Sequence, residues 1–217
     1  HNNNDNMDPV GDWDLMEHTI NPPQHMGAYM KSKYGGWITT VPEITASGSY
    51  TLNPITSSSN NCYKIPICGS SQYLFLEYRR KTGVFDSSIP NSGLIIYRIN
   101  ESYNGNLNGS GAGGVTDEVY VFRLDGSLTS KGNSSNAYLS SNSGRIVFHN
   151  TSNPYCFISN GDLGNIYIKN ISSADNTISF DVRFCDGDDI IYSYTDSLPS
   201  LTNASNSIIT SGTVTIK

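Results

Sequence analysis

The chain has 217 residues, of which 36% are hydrophobic and 15% charged, and its net charge is -6 at pH 7. The negative balance argues against a surface that binds nucleic acid or anionic lipid, and no apolar run is long enough to span a bilayer. The length allows one large or two small domains. Because few residues are charged, Asn, Ser, Thr and Gly must supply the polar surface. Together with 14 tyrosines, this composition favours a β-rich protein that is secreted or extracellular.

One helix is predicted near the start of the chain. Asn21 is a possible N-cap, and Pro22 and Pro23 suit the first turn. Gly35 and Gly36 are expected to end the helix. Between these signals, apolar residues recur at helical spacing, namely Met26, Tyr29, Met30 and Tyr34.

Most of the following chain is predicted to form strands and turns. The strand candidates are residues 73–78, 93–99, 118–123, 145–148, 165–168 and 177–183. The apolar run 94–97 indicates a strand that is buried on both faces, whereas the Gly/Asn tract 104–114 predicts a loop. The spacing of the strands favours an antiparallel sandwich, and residues 190–194 are a further strand candidate.

Two groups of polar residues in these strands have a simple structural interpretation. The charges at the end of the 73–78 strand are expected to be exposed, namely Glu77, Arg79, Arg80 and Lys81. The tyrosines could form a platform for sugars, but their alternation within strands favours core packing and cross-strand pairs.

The four cysteines are spaced too irregularly for a structural zinc site, because none belongs to a CxxC pair. Their even number predicts disulfides in an oxidising compartment. Among three connectivities we favour Cys62–Cys68, which would close a short loop, and Cys156–Cys185, which would tie neighbouring strands. Four free thiols in a reducing compartment are the alternative.

An acidic cluster lies within residues 1–17, which are predicted to form a loop. Its carboxylates are Asp5, Asp8, Asp12 and Asp14. Oxygen ligands at this density suit calcium, although the spacing does not match an EF-hand loop. A solvated loop without a metal explains the same residues.

Several motifs occur in a fixed order along the chain. Gly11-Asp12-Trp13-Asp14-Leu15-Met16 is followed by Gly35-Gly36-Trp37, and then come the segments 73–79, 81–83, 90–97, 120–123, 160–162, 166–172 and 178–182. In this order they resemble the secreted zinc metallopeptidases of the immune-inhibitor-A family, over about residues 9 to 184. The order of the motifs is more specific than any one of them.

The resemblance assigns Trp13, Asp14 and Met16 to a methionine turn, which in this family passes beneath the zinc without binding it. It also suggests that His18 lines the cleft. In the family, two zinc-binding histidines and a general-base Glu lie upstream on an HExxH helix, where zinc activates the attacking water. The present chain has no HExxH, and its four histidines lack the required spacing. We therefore expect no catalytic residue and no zinc ligand in this chain.

The resemblance implies three segments. Residues 1–115 would be the C-terminal portion of a metallopeptidase catalytic domain, with the methionine turn, one helix and strands. Residues 116–185 would form a β-sandwich-like segment that completes it, and residues 186–217 would be a linker and the start of another β module. The expected fold is mainly β with a short α region.

The expected function is that of a fragment of a secreted zinc endopeptidase. The fragment would form the floor and one wall of the cleft and would be inactive alone. Its partners would be the upstream half of the same protein and polypeptide substrates. An unpaired apolar patch is expected near Trp13, Leu15, Met16 and Met26. The alternative is a non-catalytic extracellular β-sandwich module that binds protein or carbohydrate.

Overall fold

A computed structural model describes residues 9–106 and 116–184. The chain divides into two units, residues 1–184 and 185–217. The second unit lies outside the described residues, as do the strand candidate 190–194 and most of the predicted loop 104–114. No helix in the described ranges is long and apolar enough to cross a membrane.

The described part of the chain contains seven strands, one short α-helix and three single-turn 3-10 helices. The helix, α1, comprises Ala28–Lys33. The strands are β1 Gly48–Leu52, β2 Cys62–Pro66, β3 Tyr73–Arg79, β4 Gly93–Ile99, β5 Val119–Val121, β6 Ile166–Lys169 and β7 Ile178–Phe184. The prediction of a mainly β fold with a short α region is therefore confirmed.

The strands form two antiparallel sheets. The larger has the order β2-β3-β4-β5 and the smaller the order β1-β7-β6. In the larger sheet Phe75 lies opposite Tyr97, and Glu77 lies opposite Ile95. Because β5 joins the larger sheet and β7 pairs with β1, the predicted segments on either side of residue 116 contribute to the same two sheets.

The four-stranded sheet is covered on both faces. Side chains at even positions, including Leu74, Leu76 and Ile96, share a core with the three-stranded sheet. Side chains at odd positions share a second core with the chain that precedes β1; this core includes Phe75, Ile95, Tyr97, Trp13 and Tyr29. Every residue of β3 and β4 is buried as a result. This confirms the prediction of a strand buried on both faces at 94–97.

The helix is shorter than predicted because its start was placed too early. It begins at Ala28, after Gly27, whereas the sequence placed Asn21 at the N-cap. The Gln24 side chain instead bonds the backbone of His18 and Ile20 and holds this stretch in an irregular conformation. The end of the helix agrees with the prediction, since it lies just before Gly35.

The strand predicted at residues 145–148 is not formed. Only isolated bridges occur there, one at Arg145 and one at Phe148. The Arg145 guanidinium turns back to donate to the carbonyl of Asn136 at 2.6 Å. Ile146 and Val147 remain exposed, so the apolar run that suggested a strand is only partly buried.

The predicted Cys62–Cys68 disulfide is wrong, because both thiols are free. Cys62 begins strand β2, whose extended backbone carries the chain away from it, and Cys68 lies exposed beyond the strand's other end. Cys156 is also free and is fully buried, and its predicted partner Cys185 lies outside the described residues. Burial raises the pKa of the Cys156 thiol to about 12, which keeps it protonated.

Candidate functional site

The candidate site is built on residues 10–16, which we call the 10–16 turn. A 3-10 turn at Gly11–Trp13 brings Trp13 into the core, where its side chain is fully buried. The Trp13 indole donates to the carbonyl of Ser134 at 2.6 Å. Apolar burial and a satisfied indole N–H together fix the position of the turn.

Asp14 links this turn to the start of helix α1. Its two carboxylate oxygens accept from the backbone N–H of Met16 at 2.7 Å and from that of Gly27 at 2.8 Å. Burial raises the pKa of Asp14 above its usual value, although these two hydrogen bonds oppose the shift. A Cβ at Gly27 would lie 2.9 Å from an Asp14 oxygen, so glycine allows this close approach.

Arg79 lies at the centre of a buried polar network beneath the turn. Its guanidinium contacts both oxygens of Asp86, with Nε at 3.0 Å and Nη2 at 2.5 Å, in a bidentate pair. It also donates to the carbonyl of Trp13 at 2.5 Å and to that of His25 at 3.2 Å. One cation on β3 therefore holds the backbone of the 10–16 turn and that of the chain before α1.

Glu77 extends the same network to the helix. Its carboxylate accepts from the backbone N–H of Ala28 at 2.5 Å, from Arg79 at 3.1 Å and from the Tyr97 hydroxyl at 2.9 Å. Burial raises the pKa of Tyr97 well above its usual value, and the Glu77 charge adds to the shift. We call Asp14, Glu77, Arg79, Asp86 and Tyr97 the polar network.

The buried network corrects the sequence interpretation of β3. Glu77 and Arg79 were predicted to be exposed, yet neither side chain is accessible to solvent. Their charges compensate each other inside the fold, as buried charges require. The available signal was that two charged residues, Glu77 and Arg79, share the same face of a largely apolar strand. Their partner Asp86 lies in the following loop, however, and Asp14 lies far upstream.

Outside the polar network, another carboxylate, that of Glu118, lies beside helix α1. It accepts hydrogen bonds from Tyr29, Tyr34, Lys33 and the backbone of Gly105. Burial alone would raise the pKa of Glu118, but these four donors lower it below its usual value. Glu118 therefore remains ionised and anchors the exposed side of α1.

A cavity of about 520 Å³ opens between the 10–16 turn, helix α1 and Glu118. We call it the methionine cavity, because its apolar lining includes Met16, Met26 and Met30. Met16 is 52% exposed and Trp37 is 69% exposed at its rim. Asp14 and Glu118 are the buried carboxylates that reach its wall. An apolar hollow of this kind is typical of a surface that receives a ligand or another polypeptide.

The predicted site residues occupy different environments. Met16 and Asp14 line the cavity, whereas Trp13 is buried behind it and does not belong to an exposed patch. His18 is exposed, and its Nδ1 lies 2.5 Å from an Asp12 oxygen. His18 is not among the residues that line the methionine cavity.

The proposed calcium ligands are only partly described. Asp12 pairs with His18, while Asp14 binds backbone N–H groups in the interior. Asp5 and Asp8 lie outside the described residues. Within residues 9–106 and 116–184, no group of three or more His, Cys, Asp or Glu side chains is arranged to hold a metal ion.

Comparisons with known proteins add no assignment. A scan against family models, a search of curated proteins and a search of solved structures each return no match for this chain.

Proposed function

We propose that this chain is the C-terminal part of a secreted zinc-dependent endopeptidase and forms the floor and one wall of its substrate cleft. The proposal rests on the ordered motifs between residues 9 and 184, which resemble the immune-inhibitor-A family. The chain alone is inactive, since it carries no HExxH motif. Its three-stranded sheet braces the floor from the opposite side of the four-stranded sheet.

The methionine cavity is the structural observation that supports this proposal. The 10–16 turn is fixed from below by the polar network, yet Met16 and Trp37 above it remain exposed. The fixed 10–16 turn and the exposed apolar cavity above it are what we expect of a surface on which another part of the protein packs. Methionine is well suited to such a surface, because its unbranched thioether adapts to irregular gaps.

The zinc of the parent enzyme needs ligands from outside this chain. The described residues do not fit a zinc site, because they include no suitable group of three ligands. In this proposal the described residues contribute the floor of the cleft and not the metal ligands. Trp13 and the polar network position the floor, and the adaptable methionines contact what packs above it.

A variant at the cavity tests this packing. In the protein that includes the upstream half, Met16→Glu would introduce a charge into the apolar contact, and we expect the upstream half to become sensitive to limited proteolysis. Phe85→Glu is the matched control, because Phe85 is also half-exposed but lies outside the cavity. Equal proteolysis of both variants and the parent protein would contradict the proposed contact.

The alternative is a non-catalytic extracellular module that binds protein or carbohydrate. The codons upstream of His1 in the parent gene distinguish the two. An HExxH motif followed by Gly and an acidic residue supports the peptidase, and its absence leaves the binding module.

A further inference from the structure

Trp37 also lines a second hollow. It has a volume of about 650 Å³ and runs between residues 37–42 and residues 55–61. We call it the hydroxyl cleft, because most of its lining side chains carry hydroxyl or amide groups, namely Thr39, Thr40, Ser57, Ser58, Ser59, Asn60 and Asn61. Its size is within the range of small-molecule sites, about 300–1,000 Å³.

We propose that the hydroxyl cleft is a carbohydrate-binding site that takes a neutral oligosaccharide, with Trp37 as the stacking platform. Sugar rings present C–H groups on their faces and hydroxyls around their edges. An exposed indole beside hydroxyl and amide groups matches both features. This inference goes beyond the proposed peptidase role and does not depend on it.

A side chain on which a sugar stacks should be fixed in position, and two contacts fix Trp37. Its backbone N–H donates to the carbonyl of Lys31 at 2.9 Å. One side of its indole lies against Gly35, where a Cβ would come within 3.1 Å of the ring. The side chain is nevertheless 69% exposed. A ring that is supported from one side and open to solvent on another offers its face at little entropic cost.

The opposite wall is ordered by its own hydrogen bonds. The amide of Asn53 donates to Ser59 at 2.9 Å, that of Asn60 to Thr51 at 2.6 Å and that of Asn61 to Ser57 at 2.6 Å. Each of these bonds uses an amide N–H and a backbone carbonyl. A side-chain amide oxygen also accepts hydrogen bonds, and in the contact above Asn61 uses only its N–H.

The described lining of the cleft carries little charge. Among the described residues that line it there is no carboxylate, and Lys31 is the one cation. Burial lowers the pKa of Lys31, while the carboxylate of Glu77 partly opposes the shift. A half-buried ammonium can donate to the ring or hydroxyl oxygens of a sugar.

An extended peptide fits this cleft less well. Peptides commonly bind by adding a strand to a free sheet edge. The edge strand β2 is already covered here, because Lys64 donates to the carbonyl of Pro42 at 2.9 Å and accepts from Ile44 at 2.8 Å. The cleft therefore offers side-chain groups rather than a backbone edge.

Calorimetric titration with hexa-N-acetylchitohexaose, cellohexaose and mannohexaose tests the site. We expect at least one of these probes to bind, and Trp37→Ala to weaken that binding by about tenfold or more, which is ~1.4 kcal/mol. Phe85→Ala is the control, because it removes a half-exposed aromatic ring from elsewhere on the surface. Thr40→Val removes a hydroxyl that lines only this cleft, and we expect weaker binding here as well.

Three results would overturn the site. They are no binding by any probe at millimolar concentration, equal binding by the parent chain and Trp37→Ala, and Trp37-dependent binding of a casein digest without sugar binding. The peptidase proposal is tested separately, at Met16.

Discussion

The two faces of the four-stranded sheet are buried by different means. One face meets the three-stranded sheet through aliphatic and aromatic side chains such as Leu76, Ile96 and Phe180. The other face meets the 10–16 turn and helix α1, and there Glu77 and Arg79 lie among the apolar side chains. The first contact is largely apolar and non-directional, whereas the second is fixed by charged hydrogen bonds.

The two kinds of contact have different roles: apolar burial stabilises the fold, whereas the charged hydrogen bonds set the position of the 10–16 turn. Apolar burial stabilises roughly in proportion to area and tolerates small shifts. A buried ion pair is weak support for stability, because desolvation offsets much of its attraction, but it requires specific geometry. Arg79 binds Asp86 and two backbone carbonyls, so it holds the 10–16 turn and the chain before α1 in one arrangement. The polar network therefore specifies where the floor of the methionine cavity lies.

The largest expected effect comes from removing the central cation. Arg79→Met leaves the buried carboxylates of Glu77 and Asp86 without the guanidinium that pairs with both, and we expect the free energy of unfolding to fall by about 3–5 kcal/mol. Chemical denaturation of the 217-residue chain measures this change. Arg80→Met is the control, because Arg80 is the next residue and is partly exposed. Its expected change is within about 0.5 kcal/mol. Similar losses in both variants would mean that the network does not carry the contact.

A smaller effect, dependent on pH, concerns Asp117. Its carboxylate is fully buried, and neither of its oxygens has a hydrogen-bond partner. Burial raises its pKa from 3.8 to about 6, although Arg98 and Arg123 oppose the shift. The folded state thus binds a proton more tightly than the unfolded state, so stability falls as pH rises from about 4 to about 6.

Asp117→Asn removes this titration. We expect the variant to be more stable than the parent chain by about 1–3 kcal/mol at pH 8, with the difference shrinking towards pH 4. Thermal unfolding at several pH values measures it. Asp162→Asn is the control, because it makes the same replacement at an exposed carboxylate. A difference for Asp117→Asn that grows towards low pH would contradict the predicted sign.

The smallest effect belongs to the apolar face. Ile96→Val deletes one buried methyl group, and we expect a loss of about 0.5–1.5 kcal/mol. Ile146→Val deletes the same group from an exposed side chain and is expected to change stability by less than about 0.5 kcal/mol. Denaturation midpoints of the two variants provide the measurement. If Ile96→Val were as damaging as Arg79→Met, the distinction between the two faces would fail.

Local patterns predict the apolar face well. Continuous apolar sequence identified β4 as buried on both sides, and the strands at 73–79 and 178–184 followed from their composition. The helix start was misplaced because its caps are distant. Ala28 donates to Glu77, which is 49 residues away in the chain, and nothing near Asn21 indicates that contact.

The candidate site also combines features that local sequence predicts with features that depend on distant contacts. The motif at residues 11–16 pointed to Asp14 and Met16, which do line the methionine cavity. The role of Arg79 depends on Trp13, His25 and Asp86 meeting in space, and no local pattern encodes this meeting. The disulfide prediction failed for a related reason, because the short spacing from Cys62 to Cys68 did not indicate that an extended strand separates them.

The most direct measurement is casein cleavage by the protein that joins this chain to its upstream half, before and after treatment with a chelator. We predict cleavage that the chelator abolishes and added zinc restores, while the 217-residue chain alone is inactive. No cleavage by the joined protein, or cleavage that survives complete metal removal, would contradict the proposal that this chain is the floor of a zinc endopeptidase cleft.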